Sequence, residues 1–440
     1  GDAWSGRTGR GVVVGIVDTG IDFTHEDFKR PDGSSRILYL WDQGDALGPP
    51  PDPGLLVGSY GTEWTAAQME AGESTVRARD EDGHGTRVAS AAAGNGRDSD
   101  LEERRYRYAG IAPEAELIVV ALKRFASDAD LVDAVSYIFE RSERLGMPAV
   151  VNLSLGTHFG PHDGTGFLDR ALDGLVGPGR LLVAAAGNDA DDSLHAELDV
   201  PPLGSDSATV SLWAPAGVNL EILSIDAYCN RPDSLAVTVV APSGARFGPY
   251  VLGDEVDPGL LTGEGTLALV HQNVDTVGTN LELLIDLSDY DPSQSGAAPP
   301  PAKGLWRVVF TDRAGAPGGG EVDLWIAQSY PASAQVRWRG HGYDPSEEVA
   351  SPGTARGAIT VGSFNSKRCW IDPLWQERCT TAPESVSQPG QITFFSSRGP
   401  TRDGRLKPEL CAPGFVVATA NSRQMDPSLQ AMGFGHTVAP

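Results

Sequence analysis

Four short apolar runs, residues 12–17, 117–121, 149–153 and 181–185, constrain this chain more than any other feature. None has a polar face, so each is read as a strand buried on both sides, which is the habit of central parallel strands. Residues 86–93 and 129–145 read as helices between them, the second carrying Leu131, Val132, Val135, Ile138 and Phe139 at helical spacing. Alternating strands and helices from Gly11 to about Asn188 predict an α/β fold: a doubly wound, mostly parallel sheet covered on both faces. Ligands of such sheets meet the carboxyl ends of the strands, where Asp18, Ser154 and Asn188 fall.

Beyond about residue 205 the pattern changes. β-rich runs at 208–213, 235–240, 267–271, 280–286, 305–311 and 322–329 are divided by Pro, Gly and Asp turns, as in an antiparallel sandwich. The α/β pattern returns near Ser351, with a strand at 358–363 and a loop at 394–400. The sandwich is therefore an insertion, and the expected domains are residues 1–205, an inserted all-β unit at 206–345, and a continuation of the first domain at 346–440. Trp306 and Trp325 fall inside strands and are expected in its core, whereas Tyr250 and Trp338 are the aromatics expected at its surface.

A chain of 440 residues, 40% hydrophobic, can bury a large core. Its net charge of −25 repels phosphate backbones and anionic lipid, which excludes a nucleic-acid partner. No run reaches the ~20 apolar residues of a membrane span, and no signal peptide opens the sequence. The four cysteines are too few for a disulfide scaffold. Cys369 and Cys379 flank a short loop that a local disulfide would close in an oxidising compartment, with two free thiols as the alternative. No two cysteines have the spacing of a zinc site, and no metal site is assigned.

The chemistry concentrates in a few motifs. The strand at 12–17 runs into Asp18-Thr19-Gly20, and His84 stands between Gly83 and Gly85 where a loop becomes a helix. An acid at a strand end and a histidine opening a helix, in this chain order, are two members of an Asp-His-Ser apparatus. With Asn152-Leu153-Ser154-Leu155-Gly156, Ala184-Ala185-Ala186-Gly187-Asn188 and residues 407–414, these motifs resemble, in order, those of the subtilisin-like serine proteases. The resemblance covers about residues 8–205 and 345–440. It implies a subtilisin-like sheet, and the insertion resembles the jelly roll of bacterial spore-germination subtilases.

The resemblance implies peptide-bond hydrolysis. Asp18 would orient the imidazole, His84 would act as general base and then acid, and Asn188 would donate to the oxyanion. Gly83 and Gly85 would leave room for substrate beside the ring. Ser154, Leu155 and Gly156 would pair with an extended peptide, and Ala185, Ala186 and Gly187 would wall the adjoining pocket. Asp22, Asp27 and Asp82 read as turn and capping residues, and His25 and His158 as surface or packing histidines. Structural calcium occurs in the family, but no acidic cluster in the sequence is specific enough to name its ligands. The segment at about 42–79 is expected at the edge of the peptide groove.

The nucleophile is the difficulty. Aligning residues 435–439 with the family's Gly-Thr-Ser-Met-Ala motif puts Thr437 in the serine's place, which would make a pseudoprotease that binds peptide or protein, because a β-branched hydroxyl restricts approach. The favoured alignment reads residues 436–440 as the approach to that motif, with the serine about three residues beyond Pro440, on a second polypeptide or C-terminal fragment. A secreted or extracytoplasmic location is expected.

Overall fold

The computed structural model describes residues 6–55, 57–72, 74–97, 106, 108–230, 235–251, 260–273, 281–290, 298–315, 319–331, 333–371 and 376–425. Eight strands make the central sheet: β1 (Val13–Asp18), β2 (Ile37–Asp42), β3 (Thr62–Thr65), β4 (Glu116–Ala121), β5 (Ala149–Leu153), β6 (Arg180–Ala185), β7 (Ala358–Asn365) and β8 (Leu410–Phe415). Their spatial order is β8-β7-β6-β5-β1-β4-β2-β3, and every pairing is parallel except β2 with β3. Four helices are described around it: α1 (Ala66–Glu70), α2 (His84–Ala93), α3 (Asp128–Arg144) and α4 (Phe167–Asp173).

Each central strand feeds two cores because its side chains alternate between faces. Val13 and Val17 of β1 join Ile118 and Val120 of β4 against Leu131, Val135 and Ile138 of α3 and Leu168 of α4. Ile16, Leu117 and Val119 face the other way, against Ala89 and Ala93 of α2. Helices therefore cover both faces, as the alternation in the sequence requires. The helix at α3 begins where Ser127 accepts from the Asp130 amide and Asp130 accepts from the Ser127 amide, a reciprocal cap.

Gly15 marks the closest approach of α3 to the sheet. A Cβ there would lie 2.6 Å from Ile138 Cγ2 and 3.0 Å from Val151 Cγ2. Gly15→Ala is expected to destabilise the fold by about 1–3 kcal/mol through overpacking, read as a lower urea midpoint at unchanged slope.

The inserted part forms two antiparallel sheets. One runs Arg246–Val251, Leu235–Val240, Gly304–Asp312, Ser205–Trp213, Gln335–Arg339, and the other Leu260–Thr262, Gly265–Asn273, Leu281–Ser288, Ile222–Cys229, Gly320–Tyr330, His195–Val200. One apolar cluster fills the space between them, drawing Val210, Val237 and Phe310 from the first sheet and Ile225, Ile285 and Leu324 from the second. No helix occurs between them among the described residues.

The strand His195–Val200 pairs with Gly320–Tyr330, so the β unit takes up the chain about ten residues before the expected division at 205. Its alternating Leu198 and Val200 are the signal, obscured by the intervening Glu197 and Asp199. Trp306 and Trp325 are buried as expected; Trp338, expected outside, is 1% exposed and donates its indole N–H to the Leu194 carbonyl at 2.9 Å. Tyr250 packs partly against the same core. The segment around 42–79 supplies β3 at the sheet's far edge, three places from β1, and buries Trp64, Met69 and Val76. That apolar content makes part of the segment core. Cys369 and Cys379 are joined by a disulfide across a two-stranded ladder, whereas Cys229 and Cys411 are free thiols. The mixed-charge segment at 98–107, expected from the sequence as a solvated loop or helix end, lies outside the described residues except for Tyr106.

Candidate active site

Asp18 closes β1, buried to 4% exposure, and His84 opens α2 with nearly half of its side chain exposed. Nδ1 of His84 lies 2.7 Å from Oδ1 of Asp18, which also accepts the Thr19 amide at 2.7 Å. The pairing fixes one ring nitrogen on the carboxylate. Among the described residues no hydrogen bond reaches the other.

The hydrogen bond to Asp18, with the charges of Asp18 and Asp82, raises the His84 pKa above its ordinary 6.5, while burial works the other way. An imidazole with a raised pKa is stabilised by its protonated contact below the ordinary value, and that contribution fades as pH rises through the folded value. Catalysis makes the opposite demand, because a general base must be neutral. His84 is therefore expected to titrate above 6.5 when followed by NMR of its ring protons, and Asp18→Asn to bring it back toward or below that value.

Asp80, fully buried, builds the turn that presents His84. Its Oδ1 accepts from the Thr19 hydroxyl at 2.8 Å and the Gly83 amide at 2.9 Å, and its Oδ2 from the Thr86 amide at 2.8 Å and the Thr86 hydroxyl. The Thr19 hydroxyl also accepts the Gly85 amide at 2.9 Å. The carboxylate thus satisfies two free amides at the start of α2 and ties that start to the turn after β1. Asp82, read from the sequence as a turn and capping residue, accepts the His84 amide at 3.2 Å, whereas Asp80 has no role in that reading. A carboxylate four residues ahead of the histidine, facing threonines at 19 and 86, was the available signal.

The two glycines beside His84 are required by the chain itself. Gly83 has φ +83° and a Cβ there would meet Met425 Sδ at 2.7 Å; one on Gly85 would strike the Gly20 carbonyl oxygen at 2.1 Å. Close crossing of the α2 start over the turn after β1 is thus a second reason for glycine here, beside the expected room for substrate.

β6, β5 and β1 are adjacent, and Val17, Leu153 and Ala184 lie in register across them. Asp18, Ser154 and Ala185, each one residue on, therefore stand at one level of the sheet edge, with Leu155, Gly156, Gly187 and Asn188 just beyond. Gly156 and Asn188 are exposed, and among the described residues Ser154–Gly156 make no main-chain ladder contact. Ala186 differs: it is buried, its amide donates to Val361 and its carbonyl accepts from Ala350, so its backbone is tied into the fold. The turn at 187–189 is braced from behind. Asp189 accepts from its neighbour's amide on Asn188 at 3.0 Å and pairs with His158 Nε2 at 3.1 Å, and Ser397 reaches Asp189 and the Gly187 carbonyl. Burial opposes the Asp189 charge, yet the hydrogen bond with His158, helped by the Asn188 amide and Ser397, holds its pKa below the ordinary carboxylate value.

The last described segment docks beside α2. Ser422 donates to the Asp80 carbonyl at 2.7 Å, the Arg423 amide to Asp22 at 3.0 Å and the Asp80 amide to Gln424 at 3.1 Å. Thr437 lies outside the described residues.

The sequence model of the subtilase family matches residues 9–299 and 339–434. The chain belongs to the subtilase family. Among its relatives, the minor extracellular protease Vpr of Bacillus subtilis is 25% identical over 431 residues, covering 97% of this chain and 44% of Vpr. The C5a peptidase of Streptococcus pyogenes is 23% identical, covering 94% of this chain and 33% of that protein. This subtilase chain thus spans less than half the length of either relative. The solved structure of the Clostridium perfringens CspB protease superposes with a TM-score of 0.71 at 23% identity, covering 95% of this chain and 78% of that one. That likeness extends through the inserted sandwich and establishes the fold.

Proposed function

We propose that the chain carries the acid, base and oxyanion donor of a serine endopeptidase whose nucleophile follows Pro440. The observation that carries this reading is the 2.7 Å contact of His84 Nδ1 with a buried Asp18, the other ring nitrogen being open among the described residues. Asp18 holds the tautomer with the proton on Nδ1, so Nε2 has a free lone pair to take a hydroxyl proton and later return it to the leaving amine. Asn188, exposed on its braced turn, donates to the developing oxyanion, a contact of a kind that is worth about 3–4 kcal/mol in the transition state. An extended peptide pairs with the open backbone of Ser154–Gly156 as an added strand. The segment ending at Met425 supports the same reading, since Ser422 and Arg423 dock beside the start of the His84 helix.

The substrate is protein or peptide, and the site of action is outside the cytoplasm. Incubation of the full-length protein with unfolded casein tests the reading: peptides should appear and a serine-directed sulfonyl fluoride should stop their release. A folded protein that binds the substrate without cleaving it would instead favour the pseudoprotease with Thr437 at the serine position.

A further inference from the structure

At the seam between the sandwich and the α/β unit, His195 is fully buried and among the described residues neither ring nitrogen has a hydrogen-bond partner. An imidazole must present at least one N–H, so such burial is costly unless something else occupies the nitrogens. Its Nε2 faces Oδ1 of Asp323 at 3.6 Å and Oε2 of Glu347 at 3.9 Å, both beyond hydrogen-bonding range. Glu347 Oε2 is likewise buried and unpartnered. One donor atom from each of the three residues lies within 4.8 Å of the others. Ligand atoms about 2.0–2.2 Å from a common tetrahedral centre are separated by about 3.5 Å, so the two gaps from His195 Nε2, 3.6 and 3.9 Å, are close to that spacing and too long for direct hydrogen bonds.

We propose that His195, Asp323 and Glu347 bind a divalent transition-metal ion, zinc foremost, that fastens the inserted sandwich to the α/β unit. The mixed nitrogen and carboxylate donors suit zinc, whereas calcium takes oxygen ligands. The surroundings are those of a supported metal site. Asp323 Oδ2 is held by Arg402, leaving Oδ1 for the ion. His195 Nδ1 faces Asp344 Oδ2 at 3.8 Å, so the ring N–H of an imidazole bound through Nε2 would lie on the side of a carboxylate. The ring stacks on Trp325 at 4.7 Å, and the Trp325 indole N–H holds the Glu347 carbonyl at 2.9 Å, so the ligands' directions are set before the ion arrives. Arg402 supplies one positive charge against the carboxylates of Asp323, Asp344 and Glu347, with Glu197 adding to the negative field, so a divalent ion would offset an excess of negative charge. His195 and Asp323 belong to strands of the sandwich, while Glu347 lies on the segment returning to β7 and Arg402 lies beyond β7. The sequence spacing of 195, 323 and 347 gives no motif, which is why only the fold brings these residues together.

Untagged full-length protein, stripped with a chelator and dialysed against Zn²⁺, should bind one equivalent and gain in Tm as free Zn²⁺ rises. Glu347→Gln and Asp323→Asn should weaken binding by at least about 100-fold while the circular dichroism of the metal-free protein stays native. Co²⁺ in the unmutated protein gives a second readout, a strong visible absorption typical of four-coordinate sites. Substoichiometric Zn²⁺, a full equivalent retained by both folded variants, or the weak spectrum of six-coordinate Co²⁺ would overturn the inference.

Discussion

Asp18→Asn is expected to lower kcat by about four orders of magnitude while leaving the fold intact. The asparagine occupies nearly the same space, but it can present its amide N–H to Nδ1 of His84. That forces the proton onto Nε2, the nitrogen that must accept one from the nucleophile. The carboxylate also steadies the imidazolium that forms in the transition state, and its loss removes that support. Steady-state kinetics on a peptide substrate, with circular dichroism as a check on folding, measures the effect. A kcat within about tenfold of native would show that the 2.7 Å contact of His84 with Asp18 has no part in proton transfer.

The second large effect is expected at Asp80, which touches no substrate. Asp80→Ala removes the acceptor for the amides of Gly83 and Thr86 and for the hydroxyls of Thr19 and Thr86. Each buried donor left without a partner costs about 1–3 kcal/mol, and because the four share one carboxylate the total should be about 3–5 kcal/mol, less than their sum. Urea unfolding should show a much lower midpoint. At urea concentrations where the variant remains folded, kcat should fall as well, because the start of α2 no longer holds His84 against Asp18. Asp80→Asn keeps one acceptor oxygen and should recover part of both losses. Equal stability of Asp80→Ala and the unmutated protein would mean that the α2 start is held by its other contacts.

The parts of the site that could be read from sequence are those built from local patterns. β1 through Asp18, the helix opening at His84, and the strands before Ser154 and Gly187 all carry short-range signals: apolar runs, glycines, and a polar residue at the strand end. Adjacent parallel strands then bring those ends to one level, so topology turns separate motifs into one edge. Features set by distant contacts were hidden. Asp80 resembles an ordinary loop acid until Thr19, more than sixty residues away, is seen to donate to it. Trp338 looks like a surface aromatic until the Leu194 carbonyl supplies the partner its indole needs. Gly83 and Gly85 stood out correctly, but their physical role depends on Met425 and on the carbonyl of Gly20, neither of which is a sequence neighbour. The inserted strands were found where apolar runs are strong, and His195–Val200 was missed where charged residues alternate with buried ones.

The central claim is that Asp18 and His84 activate a serine supplied after Pro440. Labelling of the full-length protein with a fluorophosphonate, followed by peptide mapping and comparison with His84→Ala, tests it most directly. The account predicts a single label on a serine C-terminal to Pro440, lost in the His84→Ala protein. A folded native protein that takes no label, a label on Thr437, or labelling that survives His84→Ala would contradict it.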